Sequence, residues 1–61
     1  MKLAVGSNYV LLVEQVWVEY CYQWLATVKQ DGAEVYRSEL HRIKINAERD
    51  GLRWLTMYIG R

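Results

Sequence analysis

Two Asp-Gly pairs, Asp31-Gly32 and Asp50-Gly51, each stand between runs rich in β-branched and aromatic residues. Asp-Gly tolerates the positive φ angles of a two-residue hairpin loop, so the pair between strand-like flanks is a strong short-range hairpin signal. A two-residue loop at Asp31-Gly32 sets Lys29 opposite Glu34 and Val28 opposite Val35. One at Asp50-Gly51 sets Glu48 opposite Arg53, Ala47 opposite Trp54 and Ile43 opposite Tyr58. Both registers join opposite charges beside the turn and apolar side chains further along. Cross-strand pairs of this kind contribute about 0.2–1 kcal/mol each.

The run from Tyr9 to Gln30 is the longest without a break. From Val16 to Val28 its even positions are all apolar or aromatic, while the odd positions are mixed. That alternation predicts a half-buried strand. A helix also fits, since Val10, Val13, Trp17, Tyr20, Trp24 and Val28 are spaced three or four apart and Ser7 or Asn8 would cap it. The Val, Thr, Tyr and Trp content favours strand, because these side chains lose rotamer freedom in helices and pack well on a pleated surface. Met1–Val5 reads as a short strand and Gly6-Ser7-Asn8 as a turn. In Ala33–Ala47, Arg37, Glu39 and His41 interrupt the apolar face of Val35, Ile43, Ile45 and Ala47, which calls for a bulge or bend near Ser38–His41.

The expected fold is therefore one small all-β domain over residues 1–61: an antiparallel meander of three to five strands, curled as an SH3-like half-barrel. The alternative is α+β, an antiparallel sheet with one helix at 9–29 or 47–58, the second capped by Asn46 with Gly51 inside it. Three strands followed by that helix resemble, in the order of elements, the small DNA-reading domains at the N-termini of phage integrases.

A chain of 61 residues buries a small core, and disulfides, metals or self-association usually supplement one of that size. With one cysteine, Cys21, and one histidine, His41, neither an internal disulfide nor an ordinary zinc cluster can form. No phosphate-binding glycine loop or calcium loop is present, and no cofactor is expected. A net charge of +1 supplies no global field toward nucleic acid or an anionic membrane. The apolar run Tyr9–Val13 is too short to span a bilayer, and no signal peptide is read. A cytoplasmic location and no membrane partner are the corresponding expectations.

Catalysis has little to stand on. Cys21 and His41 are the sole thiol–imidazole pair, and the hairpin register puts His41 opposite Tyr22, with Cys21 facing the other side of the sheet. Both read as ordinary packed or surface residues. The expected function is a non-catalytic protein-binding module, an accessory or inhibitory factor of phage or mobile-element type that occludes a larger protein or nucleoprotein complex. A homodimer would also satisfy the unburied apolar surface. In the hairpin reading Trp24, Tyr22, Trp54 and Tyr58 face the core. The opposite face of the last hairpin carries an apolar strip, Leu55, Met57 and Ile59, with Arg42, Lys44 and Arg53 as a basic margin. These six residues are the candidate docking face, and Trp17, on a mostly polar face with Gln15 and Glu19, is a further one. The alternative function is a nucleic-acid-binding β domain that uses Arg37, Arg42, Lys44 and Arg53, which steep salt dependence would distinguish.

Overall fold

The structure is a computed structural model that describes residues 1–6 and 8–59; Ser7, Gly60, Arg61 and the side chain of Ile59 lie outside the description. The proposed roles of Ser7 as turn or cap residue and of Ile59 as a docking residue therefore fall outside it.

Four strands, β1 (Lys2–Val5), β2 (Tyr9–Val18), β3 (Cys21–Gln30) and β4 (Ala33–Arg37), form one open antiparallel sheet in the order β1-β2-β3-β4. One helix, α1 (Lys44–Ile59), follows. This is the meander with a single helix over the region given above as 47–58.

The two Asp-Gly pairs part company. Asp31-Gly32 makes the expected two-residue turn, with φ of 52° and 85° and Lys29 opposite Glu34. Beyond it a bulge shifts the register, so Val28 opposes Tyr36 instead of Val35. Asp50-Gly51 lies in the middle of α1. The expected pairs Glu48–Arg53, Ala47–Trp54 and Ile43–Tyr58 are therefore absent, and these residues follow one another along a helix or, for Ile43, just precede it. The reason is tertiary. Ala47, Gly51 and Leu55 recur every four residues and form the buried line of α1. A Cβ placed on Gly51 would stand 2.5 Å from Leu11 Cδ1 and 3.3 Å from Ala26 Cβ. Glycine is needed there for close approach of helix to sheet, with no turn involved.

A second two-residue turn divides the long run from Tyr9 to Gln30. Glu19 and Tyr20 both take positive φ, 46° and 70°, the pattern of a type I′ hairpin. Neither residue favours that region, and each costs on the order of 1 kcal/mol there. The turn also inverts the phase of the alternation. Trp17 opposes Tyr22, Gln15 opposes Trp24 and Val13 opposes Ala26. The odd residues of β2 thus share a face with the even residues of β3, and Val16 and Val18 pass to the other face.

The core is Leu11 and Val13 of β2, Ala26 and Val28 of β3, and Ala47 and Leu55 of α1, flanked by half-buried Val5, Tyr9, Trp24, Tyr36 and Trp54. The opposite face of the sheet, with Val10, Leu12, Val16, Val18 and Leu25, has no element packed on it among the described residues. After Arg37 the chain leaves the regular ladder, as the charged residues at 37, 39 and 41 suggest. Ser38 continues the pairing in part through its side chain. Its amide donates to the Ala26 carbonyl at 2.8 Å, and its hydroxyl accepts from the Ala26 amide at 2.9 Å. His41 then exchanges two backbone hydrogen bonds with Trp24, at 2.6 and 2.9 Å, before α1 begins. No helix among the described residues is long and apolar enough to cross a membrane.

Gly51→Ala should be destabilising although alanine is worth about 1 kcal/mol over glycine in a helix interior. Overpacking against a fully buried Leu11 costs about 1–3 kcal/mol, so a net loss of roughly 1 kcal/mol is expected in urea unfolding. In a Leu11→Ala background, where space has been opened, the same change should cost less or become favourable. A stabilised single variant would mean that the helix does not sit so close to the sheet.

Candidate functional site

The helix carries two kinds of side chain on adjoining faces. Ala47, Gly51 and Leu55 meet the sheet, while Asn46, Arg49, Asp50 and Arg53, spaced three or four apart, follow one side of the helix. With His41 they line a cavity of about 340 Å³. Asp50 is its structural centre. One carboxylate oxygen accepts from the Tyr36 hydroxyl at 2.5 Å, and the other lies 2.9 Å from His41 Nε2. Three elements are joined at that carboxylate: β4, the segment leading into α1, and α1 itself.

These contacts set the charges. Partial burial pushes the Asp50 carboxyl up, but hydrogen bonds from Tyr36 and His41 and the charges of His41 and Arg53 outweigh it, and the group sits below its ordinary value. The hydrogen bond to Asp50, burial and the charge of Asp50 push the Tyr36 hydroxyl up to about 12, against a smaller opposing effect of Arg53. A phenol so held is a donor, not a nucleophile. Tyr36 also stacks on Trp54, with centroids 5.3 Å apart, and Trp54 stacks on Tyr58 at 4.6 Å.

Arg49 and Arg53 have no carboxylate within ion-pair distance among the described residues. The ion pairs there are Arg37 with Glu34, which is exposed, and His41 with Asp50. Arg42 and Lys44 stand at the start of α1, whose first turn holds no acidic residue. Cations at that end are unfavourable to the helix dipole, and the corner is left electropositive. Lys44 Nζ lies 5.4 Å from the Trp24 ring centroid.

The second exposed feature is the end of the β2–β3 hairpin. Ten-residue strands run to roughly 33 Å, whereas a helix of 16 residues covers about 24 Å. Because α1 starts beside Trp24, the hairpin beyond it is bare. Tyr20 is 92% exposed, Trp17 62% and Tyr22 59%, with Trp17 and Tyr22 in an edge-to-face pair at 4.9 Å.

The residues expected to form one docking face are dispersed. Leu55 is in the core at 3% exposure, so it does not join exposed Met57 in a surface strip, and the Ile59 side chain lies outside the described residues. In a helix Leu55 and Met57 point about 200° apart, where a strand would have aligned them. Arg53 and Met57 are exposed one turn apart, Arg42 and Lys44 are exposed at the helix start, and Trp17 is at the hairpin end. Trp17 lies on the same sheet face as Leu11 and Val13 and is exposed because the helix does not reach it. Tyr22 and Tyr58, assigned to the core from sequence, are exposed, whereas Trp24 and Trp54 are half-buried. His41 pairs with Trp24 instead of Tyr22 and points its ring at Asp50, on the helix side of the sheet, while Cys21 is exposed with its Sγ 3.4 Å from the Val18 carbonyl. Arg49, Asn46 and Tyr20 are not among the site residues read from the sequence, where Asn46 figures only as a helix cap and Tyr20 only in an apolar spacing. For Arg49 and Asn46 the signal was their i, i+3 spacing with Arg53 on a helix, hidden once that segment was read as a hairpin.

The tie at Asp50 predicts a pH profile. Tyr36 has a folded pKa above its ordinary 10.0, so its contribution is complete below pH 10 and is lost as the pH rises toward 12. Asp50 has a folded pKa below 3.8, so its contribution is complete above that value and is lost as the pH falls through the folded pKa. Tyr36→Phe should cost about 1.5 kcal/mol at neutral pH, the worth of a hydrogen bond to a charged group. Relative to wild type, its urea midpoint should fall less steeply above pH 10. Parallel profiles for the two proteins would show that the bond does not contribute.

No family model matches the chain, and neither a curated protein nor a solved structure matches it.

Proposed function

We propose that the chain is a non-catalytic docking module that engages a larger protein or nucleoprotein complex through the bare end of the β2–β3 hairpin. The observation that carries this reading is the grouping of Trp17, Tyr20 and Tyr22, three exposed aromatic side chains on one hairpin end. Aromatic residues are enriched at interface centres, where they bury a large area at low entropic cost. The turn geometry supports the same reading. A Glu-Tyr pair holds a conformation that Asp-Gly would hold without strain, and such strain is retained where a side chain is needed at the spot. The internal commitment of Tyr36, His41 and Asp50 to one another, and the separation of Cys21 from His41, support the non-catalytic part. The proposed biological class is an accessory or inhibitory factor of phage or mobile-element type, a reading based on size and the lack of catalytic motifs.

A second reading, nucleic-acid binding, is favoured by one observation. Lys44 lies over Trp24, with Arg42 close by in sequence, where the aromatic hairpin meets the electropositive helix start.

Replacing the strained pair, Glu19→Asn with Tyr20→Gly, should separate stability from binding. Stability should rise by on the order of 1 kcal/mol as the strain is relieved. Affinity for the partner captured from host extract should drop about tenfold or more, as for loss of a central aromatic anchor. Trp17→Ala should weaken capture similarly in a folded protein. A protein partner stays bound after nuclease treatment and at raised salt; loss under both conditions selects the nucleic-acid reading. Undiminished capture by both folded variants would move the contact away from the hairpin.

A further inference from the structure

We infer that the cavity between α1 and the segment leading into it is a binding site for a phosphate group, independent of the hairpin end. The residues that line it are all polar or charged types: His41, Asn46, Arg49, Asp50 and Arg53. Its volume of about 340 Å³ falls in the range of small-molecule sites and leaves room for part of whatever carries the phosphate.

The charge arrangement selects an anion. Asp50 is the only acid in the lining, and both of its oxygens are engaged, one by Tyr36 and one by His41. It neither offers an open cation site nor pairs with an arginine. Among the described residues no group of three or more His, Cys, Asp and Glu side chains could hold a metal ion. Arg49 and Arg53 remain, one helical turn apart, lining the same cavity without an ion-pair partner among the described residues. Two guanidinium groups beside one committed carboxylate leave a formal surplus of positive charge.

Donor number selects phosphate over carboxylate. Each guanidinium presents a planar fork that matches two oxygens, and the Asn46 amide adds a further donor. Two forks and an amide exceed what the two oxygens of a carboxylate can accept, whereas three peripheral phosphate oxygens can take all of them. Tyr36 and His41 act here as positioning residues. By engaging both oxygens of Asp50 they hold that carboxylate out of direct contact with Arg49 and Arg53, whose donors stay free for a ligand. The phosphate belongs either to a small monoester or to a nucleic-acid backbone, which share this chemistry.

The test is an NMR titration of the full chain, following the Asn46 side-chain amide and the Arg49 and Arg53 Nε–H signals. Inorganic phosphate, a nucleoside monophosphate and a short single-stranded oligonucleotide are the probes, each at matched ionic strength against sodium chloride. Saturable shifts at these three residues with phosphate and not with chloride are expected. Arg49→Gln combined with Arg53→Gln should weaken binding about tenfold or more, as loss of two charge-assisted contacts implies. Both side chains are exposed, so the fold should persist, and Asn46→Ala provides a second variant should it not. Arg37→Gln, at an exposed pair on β4, should leave the titration unchanged. The hairpin variant Trp17→Ala should also leave it unchanged, so this site and the hairpin contact stand or fall separately. Tightest binding by the monophosphate assigns a small ester; tightest binding by the oligonucleotide, with steep salt dependence, assigns a backbone phosphate. Equal shifts with chloride, no saturation with any probe, or full binding by the double arginine variant would overturn the proposal.

Discussion

Helix α1 rests on the sheet at the contact of Gly51 with Leu11 and Ala26, and the remaining architecture is arranged around that closeness. A side chain at 51 would lift the helix from β2 and β3, and with it Ala47 and Leu55, two of the six core residues. Small residues on both sides of the seam, Ala26, Ala47 and Gly51, are what let so short a chain pack a helix against a sheet. The residue just before the glycine uses the same closeness. Because Gly51 brings the helix down, the Asp50 carboxylate comes within hydrogen-bond reach of Tyr36 on β4 and of His41 on the entering segment. Apolar contact and polar tie are thus neighbours in sequence and in space.

The exposed features follow from a mismatch of lengths. The two central strands extend well past the start of the helix, and one helix covers one face only. Trp17 and Tyr22 belong to the same sheet face as the core, yet they lie beyond its cover. On the helix itself, the side turned away from the seam carries Asn46, Arg49 and Arg53, where no strand contributes an opposing acid. An aromatic hairpin end and an arginine-lined cavity are therefore two separate outcomes of the same economy of elements.

The strand content was legible from alternation and from β-branched and aromatic composition, and Asp31-Gly32 gave its turn and the Lys29–Glu34 pair correctly. Only local information was needed there, since backbone preference and strand patterning agreed. At Asp50-Gly51 the same dipeptide misled, because the glycine answered a packing requirement set by Leu11, forty residues earlier in the chain. At Glu19-Tyr20 the opposite occurred. A hairpin turn formed with no turn-forming residue, driven by the pairing of ten-residue strands on either side. Of the candidate site, Arg53, Arg42 and Lys44 are exposed as their charges suggested and Trp17 because the helix stops short of it, whereas Leu55 changed role because a helix sorts residues every three or four positions and a strand every two.

The sequence by itself determined an antiparallel meander of strands, the tight turn at Asp31-Gly32 and a break in the pairing near Ser38–His41. These rest on composition and on preferences that act over a few residues. Tertiary structure decided the helical state of 44–59, the phase of β2 against β3, the burial of Leu55 and the meeting of Tyr36, His41 and Asp50. Each of those depends on residues far apart in the chain competing for one small core, and the chain settled the competition by placing its only helical glycine where the sheet comes closest.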